Sequence, residues 1–492
     1  MSTTSNPDNT LITAQTVQQH ACADDCWLVI DGKVWDMTAF APRHPGGSQI
    51  ILTHAGRDAT TAYNTIHAPS LIEEEVPEAY KGRLDPSTVP KSWTTTTTTT
   101  TTTASTRPAL TSILNTHDFA HAAQHSIPAK TWAFYSSAAT DSHTHAANTA
   151  MYARIWFRPR VLRDVSSVSI KARFLGCAAV DMPIYVAPAA MARMVHVEGE
   201  RAIARACARK GVLQCISTSA SFPASQIVPV APPAHPFFFQ LYINSNRAKC
   251  AALIREIAAM PQIRGIMITV DAPVVGKREA DERIRADETL HAPMSGQQAK
   301  NDAKGGGMGR VMGRYIDPSF HWEEIAWVRG LYSGPLMLKG VQTAADARMA
   351  VEYGVQGIVV SNHGGRCLDT SPPSILALLD IQRNAPEVFD KMEVYVDGGI
   401  RRGTDIVKAL CLGATGVGLG RPFLYSLAYG TEGVEHLIDI LRDEIETTMR
   451  LLGANSLSDL HPGMVNTADV DHLVPRGLDG HPYARNVERA KL

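Results

Sequence analysis

An unbroken threonine run from Thr94 to Thr103 divides this chain and limits what it can fold into. The run has no hydrophobic period and nothing to bury, so it builds no packed core. Pro90, Ser92, Ser105 and Pro108 flank it. It reads as a linker that lets two domains move relative to each other. A glycosylated stalk would require secretion, and the polar stretch from Met1 to Thr10 has no apolar signal core. The 492 residues leave room for a small domain before the run and one large domain after it. The expected boundaries are 11–86 for the first domain, 87–109 for the linker, 110–470 for the second domain and 471–492 for a tail.

Composition narrows the functional classes. A net charge of -1 gives no global argument for nucleic acid. No apolar run approaches the length of a membrane span. Hydrophobic residues make up 45%, enough for true cores. Of the eight cysteines, Cys22 and Cys26 are the one close pair, and no second pair joins them in a zinc-type pattern. They read as reduced thiols. The chain ends Ala490-Lys491-Leu492, a conservative variant of the peroxisomal Ser-Lys-Leu address, so a peroxisomal location is expected, with the cytoplasm or the mitochondrial intermembrane space as the alternative.

Before the linker, Trp27-Leu28-Val29-Ile30 and Lys33-Val34-Trp35-Asp36 read as two strands joined by an Asp31-Gly32 hairpin turn. Residues 11–86 carry ten acids and five bases, a face suited to a basic redox partner or simply to solvent. His44-Pro45-Gly46-Gly47 makes a tight turn, and His67 follows. Six-coordinate haem iron needs two such imidazoles, one on each face. Together with Trp27, Phe40 and Ala55-Gly56-Arg57-Asp58-Ala59-Thr60, these residues resemble a cytochrome b5-type haem domain. The resemblance implies an α+β fold holding haem b, with His44 and His67 as axial ligands.

After the linker, eight short apolar runs alternate with helical stretches. They span 183–187, 213–218, 237–243, 265–271, 335–340, 357–363, 394–399 and 416–420. Continuous apolar runs suit buried parallel strands. Eight repeats argue for a closed α/β (β/α)8 TIM barrel over an open sheet. No Gly-x-Gly-x-x-Gly fingerprint opens the first unit, so a Rossmann-type site is not supported.

Polar residues interrupt these runs at their C-terminal ends, where barrels place their chemistry. His363 beside Gly364-Gly365-Arg366 sets a proton acceptor next to a guanidinium, the pair that a 2-hydroxy acid needs. Asp271 can steady an imidazolium, Tyr242 can bind a hydroxyl, and Lys339 suits the electron-rich edge of a reduced flavin. Asp397-Gly398-Gly399-Ile400-Arg401-Arg402-Gly403 and Gly418-Leu419-Gly420-Arg421-Pro422 follow strands seven and eight. Glycine amides and arginine at this place form a phosphate pocket of the kind that suits FMN.

These motifs, with Gln240-Leu241-Tyr242, Thr269-Val270-Asp271-Ala272-Pro273, Gly276-Lys277-Arg278-Glu279, Leu338-Lys339-Gly340 and Ser361-Asn362-His363, resemble the FMN-dependent L-2-hydroxy acid dehydrogenase and oxidase family over about 118–460. With the haem domain added, the whole chain is similar to the flavocytochrome b2 family, which passes electrons from L-lactate through FMN and haem b to cytochrome c. The resemblance implies that His363 is the base and Asp271 its partner. Tyr242 binds the substrate hydroxyl, Arg366 its carboxylate, and Arg278 lies near the flavin. Ser217, Gln240, Thr269, Lys339, Arg401, Gly420 and Arg421 hold FMN, with Asp397, Gly398 and Gly399 beside its phosphate. A homo-oligomer, a tetramer by the same resemblance, is expected. An oxidase that passes electrons to oxygen, and a haem protein with an inactive barrel, are the rival readings.

Three positions depart from that family. Phe134 stands where a tyrosine would contact the carboxylate, so one hydrogen bond, worth about 1 kcal/mol or more, is expected to be missing. Ser219 stands where lactate-selective members carry a larger apolar residue, and Ala138 where they carry glycine. A bulkier or more polar hydroxy acid than lactate fits these changes. The segment 292–309 reads as a loop over the site.

Overall fold

The structure is a computed structural model. It describes residues 10–44, 48–66, 71–90, 93, 107–288, 296 and 298–477. His67, the turn at 45–47, the threonine run, the start of the loop 292–309 and Ala490-Lys491-Leu492 lie outside the described residues. The chain divides into two compact units, Met1–Thr106 with Arg285–Met312, and Arg107–Ile284 with Gly313–Leu492. No described helix is long and apolar enough to cross a membrane.

The first unit is built on a five-stranded sheet. Its central hairpin pairs Asp25–Ile30 with Lys33–Asp36, and Val29 faces Val34 across the ladder. Asp31 and Gly32 both take positive φ, +49° and +73°, as a two-residue hairpin turn requires. Period-two alternation then sorts the side chains. Leu28, Ile30 and Trp35 pack on one face with Ile51, Ala55, Ala59, Ile72 and Val76. Val29 and Val34 pack on the other with Ile12, Ala14, Val17 and Leu84. Both faces are covered, which is why the strand reads as a continuous apolar run rather than an alternating one.

The second unit is a closed barrel of eight parallel strands. In chain order they are Ile184–Val186, Leu213–Ser217, Phe237–Leu241, Ile263–Thr269, Leu336–Val341, Gly357–Val360, Glu393–Asp397 and Gly416–Leu419. The eighth closes on the first through Gly418 opposite Tyr185. All eight fall within two residues of the starts expected from sequence, but seven end early, four of them by two or three residues. The strands after Phe237, Ile263 and Gly357 stop before Tyr242, Asp271, Asn362 and His363, which therefore stand on loops. For His363 the reason is direct: its φ of +59° is left-handed and incompatible with a strand.

The barrel interior is stacked in two layers. Cys215, Phe238, Met267, Met337, Val359 and Tyr395 form an apolar layer, closed at one end by Phe174 of the hairpin Ala172–Phe174 and Ala178–Val180. Two residues further along the same strands or just past their ends stand Ser217, Gln240, Thr269, Lys339, Ser361 and Asp397, all buried. A shift of two residues keeps a side chain on the same face of its strand. The polar layer is thus the next step up the barrel wall, and register places its members side by side. Ser217 lies opposite Gln240, and Thr269 opposite Lys339.

Candidate active site

The polar layer satisfies itself by a chain of hydrogen bonds. Ser217 Oγ donates to Gln240 Oε1 at 3.0 Å, and Gln240 Nε2 donates to Thr269 Oγ1 at 3.0 Å. Lys339 Nζ donates to Ser361 Oγ at 2.9 Å and pairs with Asp397 at 3.0 Å. Ser361 Oγ in turn donates to Asp397 Oδ1 at 2.6 Å. Burial alone would discharge the lysine, but the Asp397 and Asp271 carboxylates outweigh it and raise its pKa. A fixed cation therefore stands in the barrel mouth.

Ser361 has a second task. It accepts the backbone N–H of His363 at 3.0 Å, anchoring the loop that follows. His363, Gly364 and Gly365 take φ of +59°, +63° and +75° in succession. Such a conformation costs about 1–3 kcal/mol at a residue other than glycine and persists only where the surroundings enforce it. Asn362 enforces it, accepting from Gly365 N–H at 3.1 Å and from Asn148 Nδ2 at 2.8 Å, and donating to Pro372 O at 2.9 Å.

The bent loop aims the imidazole. His363 Nδ1 donates to Asp271 Oδ1 at 2.9 Å, which leaves Nε2 as the acceptor of the neutral ring, 3.4 Å from the Tyr242 hydroxyl. Gly340, at φ +112°, makes room for this pair, because a Cβ there would meet Asp271 Cβ at 2.5 Å. Burial opposes the charged imidazolium. Cys367 and Asp271 outweigh that and raise the His363 pKa to about 9. Burial likewise opposes the Asp271 charge, yet His363 and Lys339 keep its pKa below the ordinary carboxylate value.

Cations crowd the other side of the mouth. The Arg366 and Arg278 guanidinium groups lie 5.5 and 6.0 Å from the Phe134 ring centre. Arg366 Nη1 donates to the carbonyls of Tyr135 and Ser137 at 3.0 and 2.9 Å. Arg421 donates to the same two carbonyls and to Gly364 O. Burial, then the charges of Arg278 and Arg421, pull the Arg366 pKa well below its ordinary value. Burial, reinforced by Arg401 and Arg278, brings Arg421 to about 10. Burial and the charges of Arg421 and Arg401 also hold His145 down at about 4, so it faces them neutral. The buried Arg278 Nε has no hydrogen-bond partner among the described residues.

This pattern fits anionic occupants. Among the described residues, the guanidinium groups of Arg366 and Arg421 donate to neutral carbonyls and to His145, not to carboxylates. A phosphate and a substrate carboxylate would relieve their mutual repulsion. Gly398 and Gly399 follow the seventh strand at φ +105° and +81°, and a Cβ on Gly399 would meet Asn148 O at 2.2 Å. Gly420 caps the helix Arg421–Ser426. Arg401 lies in the loop between the seventh strand and the helix Gly403–Cys411, its Nη1 donating to Ile400 O at 2.8 Å. In the first unit, His44 is half-buried, with its ring 5.7 Å from that of Phe40 and edge-on to it. An imidazole beside an apolar core is a donor that haem iron accepts.

Residues 123–467 match the FMN-dependent dehydrogenase family. Residues 13–85 match the cytochrome b5-like heme/steroid binding domain.

The chain belongs to the FMN-dependent dehydrogenase family.

This dehydrogenase is 38% identical over 485 residues to an L-lactate dehydrogenase (cytochrome) of Wickerhamomyces anomalus, covering 97% of this chain and 84% of that one. It is 39% identical over 354 residues to a glycolate oxidase of Spinacia oleracea, covering 71% of this chain and 94% of that one. A solved flavocytochrome b2 variant with pyruvate bound superposes with a TM-score of 0.67 at 40% identity, over 75% of this chain and 90% of that one. FMN is the cofactor of the dehydrogenase barrel and haem b that of the N-terminal domain.

The structure adds residues that sequence reading did not single out for the site. Ser361 joins Lys339, Asp397 and the His363 backbone. Tyr315 meets Ser219, hydroxyl to hydroxyl, at 3.2 Å, and its ring stands edge-on to Tyr242. His145 and Asn148 arrive on the helix His143–Ala153. Only the alternation of the sixth strand, which puts Ser361 two residues past Val359, carried a signal for any of these.

Proposed function

We propose that this dehydrogenase oxidises an L-2-hydroxy acid to the 2-oxo acid. The carrying observation is the His363–Asp271 pair at 2.9 Å, with the free ring nitrogen turned to the Tyr242 hydroxyl. Arg366, with Arg278 beside it, binds the substrate carboxylate, and Tyr242 donates a hydrogen bond to the substrate hydroxyl. His363 Nε2 takes the proton, while Asp271 holds the ring and steadies the imidazolium. Lys339, Gln240, Thr269 and Ser217 would hold the flavin ring, and Arg401, Arg421, Gly420, Gly398 and Gly399, with Asp397 beside them, would hold its phosphate. FMN supplies the two-electron acceptor when bound, and haem b, which His44 and His67 would hold, would supply the relay to a protein acceptor of the cytochrome c type.

Selectivity follows from two walls. Phe134 offers a ring to the guanidinium groups and no hydroxyl, while Ser219 and Tyr315 form a polar edge. A bulkier or more polar acid than lactate suits this pocket. The haem domain favours a protein acceptor over oxygen, as does the match to the cytochrome-linked relative over nearly the whole chain. A panel of L-2-hydroxy acids, scored by haem reduction with cytochrome c present, tests both points. Stoichiometric peroxide with no reduction of cytochrome c would overturn the acceptor assignment. A homo-oligomer and a peroxisomal address at Ala490-Lys491-Leu492 belong to the same proposal and rest on sequence alone.

A further inference from the structure

The proposed mechanism leaves one reactive group in the mouth unused. Cys367 lies four residues past His363 on the same loop and is half-buried. Its sulfur, a His363 ring nitrogen and an Asp271 carboxylate oxygen all lie within 4.8 Å of one another. The Asp271 side chain is 1% exposed. One of its oxygens is held by His363, while Oδ2 has no hydrogen-bond partner among the described residues. A buried carboxylate oxygen without a partner carries a free-energy cost that a ligand can remove. The neighbouring cluster of Asp141, His143 and Asp369 is a contrast. There Asp369 already accepts from Thr140 Oγ1 and from the backbone N–H groups of Asp141, His143 and Thr144.

We propose that Cys367, His363 and Asp271 form a binding site for a thiophilic divalent cation of the zinc class. Thiolate, imidazole and carboxylate are the ligand types zinc takes, and a hard cation such as magnesium avoids the sulfur. Ligand atoms around a tetrahedral zinc stand about 3.5 Å apart. With its atoms within 4.8 Å of one another, the cluster needs to close by no more than about 1.3 Å, a movement within reach of rotation about the Cys367 side-chain bond. Three protein ligands leave the fourth position open to water or substrate. The ion takes the imidazole lone pair that the substrate proton needs, so its occupancy and turnover exclude each other. That consequence rests on His363 being the base; the binding itself does not.

The test titrates zinc chloride into the full-length holoenzyme, following heat by calorimetry and, separately, substrate-driven haem reduction. The exposed Cys22 and Cys177 are replaced by serine in the parent to remove background thiols. One zinc site is expected per chain, with inhibition reversed by EDTA and no effect of magnesium chloride. Cys367→Ala is expected to lose that site and, measured against its own zinc-free rate, to need at least tenfold more zinc for the same fractional inhibition. A variant that binds zinc, and is inhibited by it, as the parent is overturns the proposal. Zinc binding that depends on Cys367 but leaves the rate untouched upholds the site and counts against His363 as the base.

Discussion

The two layers inside the barrel sit on the same strands, two residues apart, and do opposite things. The lower layer, from Cys215 to Tyr395, is apolar and fully packed. The upper layer, from Ser217 to Asp397, is just as buried yet entirely polar. Burial therefore does not separate structure from chemistry here. What separates them is partnership: each upper-layer group completes a neighbour's hydrogen bond, and together they fix a lysine, a strained loop and an imidazole. Stability is expected to live in the lower layer and activity in the upper one and the loops above it.

The sharpest way to break that division is at the base. His363→Gln is expected to lower substrate-driven flavin reduction by at least about 10³-fold while thermal stability stays close to the parent, since general-base catalysis contributes on the order of 10²–10⁴-fold. Stopped-flow bleaching of the flavin band measures this, and a fast variant would sink the assignment. The converse lies one layer down. Phe238→Ala leaves a cavity against Phe174 and Tyr395 and is expected to cost about 3–5 kcal/mol in denaturant unfolding, with the surviving folded fraction still active. Large loss of turnover without loss of stability would erase the distinction between the layers.

Next comes the carboxylate clamp. Arg366→Lys removes the planar fork and is expected to lower kcat/KM by about a hundredfold, or about 2–3 kcal/mol, in steady-state kinetics. An unchanged kcat/KM would assign the carboxylate elsewhere. The pH profile is a gentler test. With the His363 pKa raised to about 9, the ring is protonated at neutral pH and only the neutral ring can accept a proton. The value of kcat/KM should therefore rise with pH and level off near 9; a profile falling over that range contradicts the base role. The smallest effect is at the departure from the family. Phe134→Tyr restores a hydroxyl beside Arg278 and Arg366, and the gain expected for a small hydroxy acid is about 1 kcal/mol, roughly fivefold in kcat/KM.

The first unit is a useful counterweight. Its hairpin and turn were readable from Trp27 to Asp36, because a local turn signal between two short apolar runs specifies them. In the barrel the strand starts were equally plain, for buried parallel strands are short apolar runs. The early ends before Tyr242, Asp271 and His363 were not, because the chain there leaves its ladder to serve contacts distant in sequence. Tyr315, His145 and Asn148 were invisible for the same reason. Nothing around them in the chain marks them, and their partners Ser219, Arg421 and Asn362 stand far away in sequence.

By itself the sequence determined two domains, a barrel with its motifs at the strand ends, and the residue types able to accept a proton and bind two anions. These follow from local periodicity and from glycine, histidine and arginine in short patterns. Only the tertiary structure decided that His363 is left-handed, that Arg278 and Arg366 share the Phe134 ring, and that Cys367 stands beside the base. Such arrangements depend on the closing of the barrel, which brings together side chains that no local rule connects.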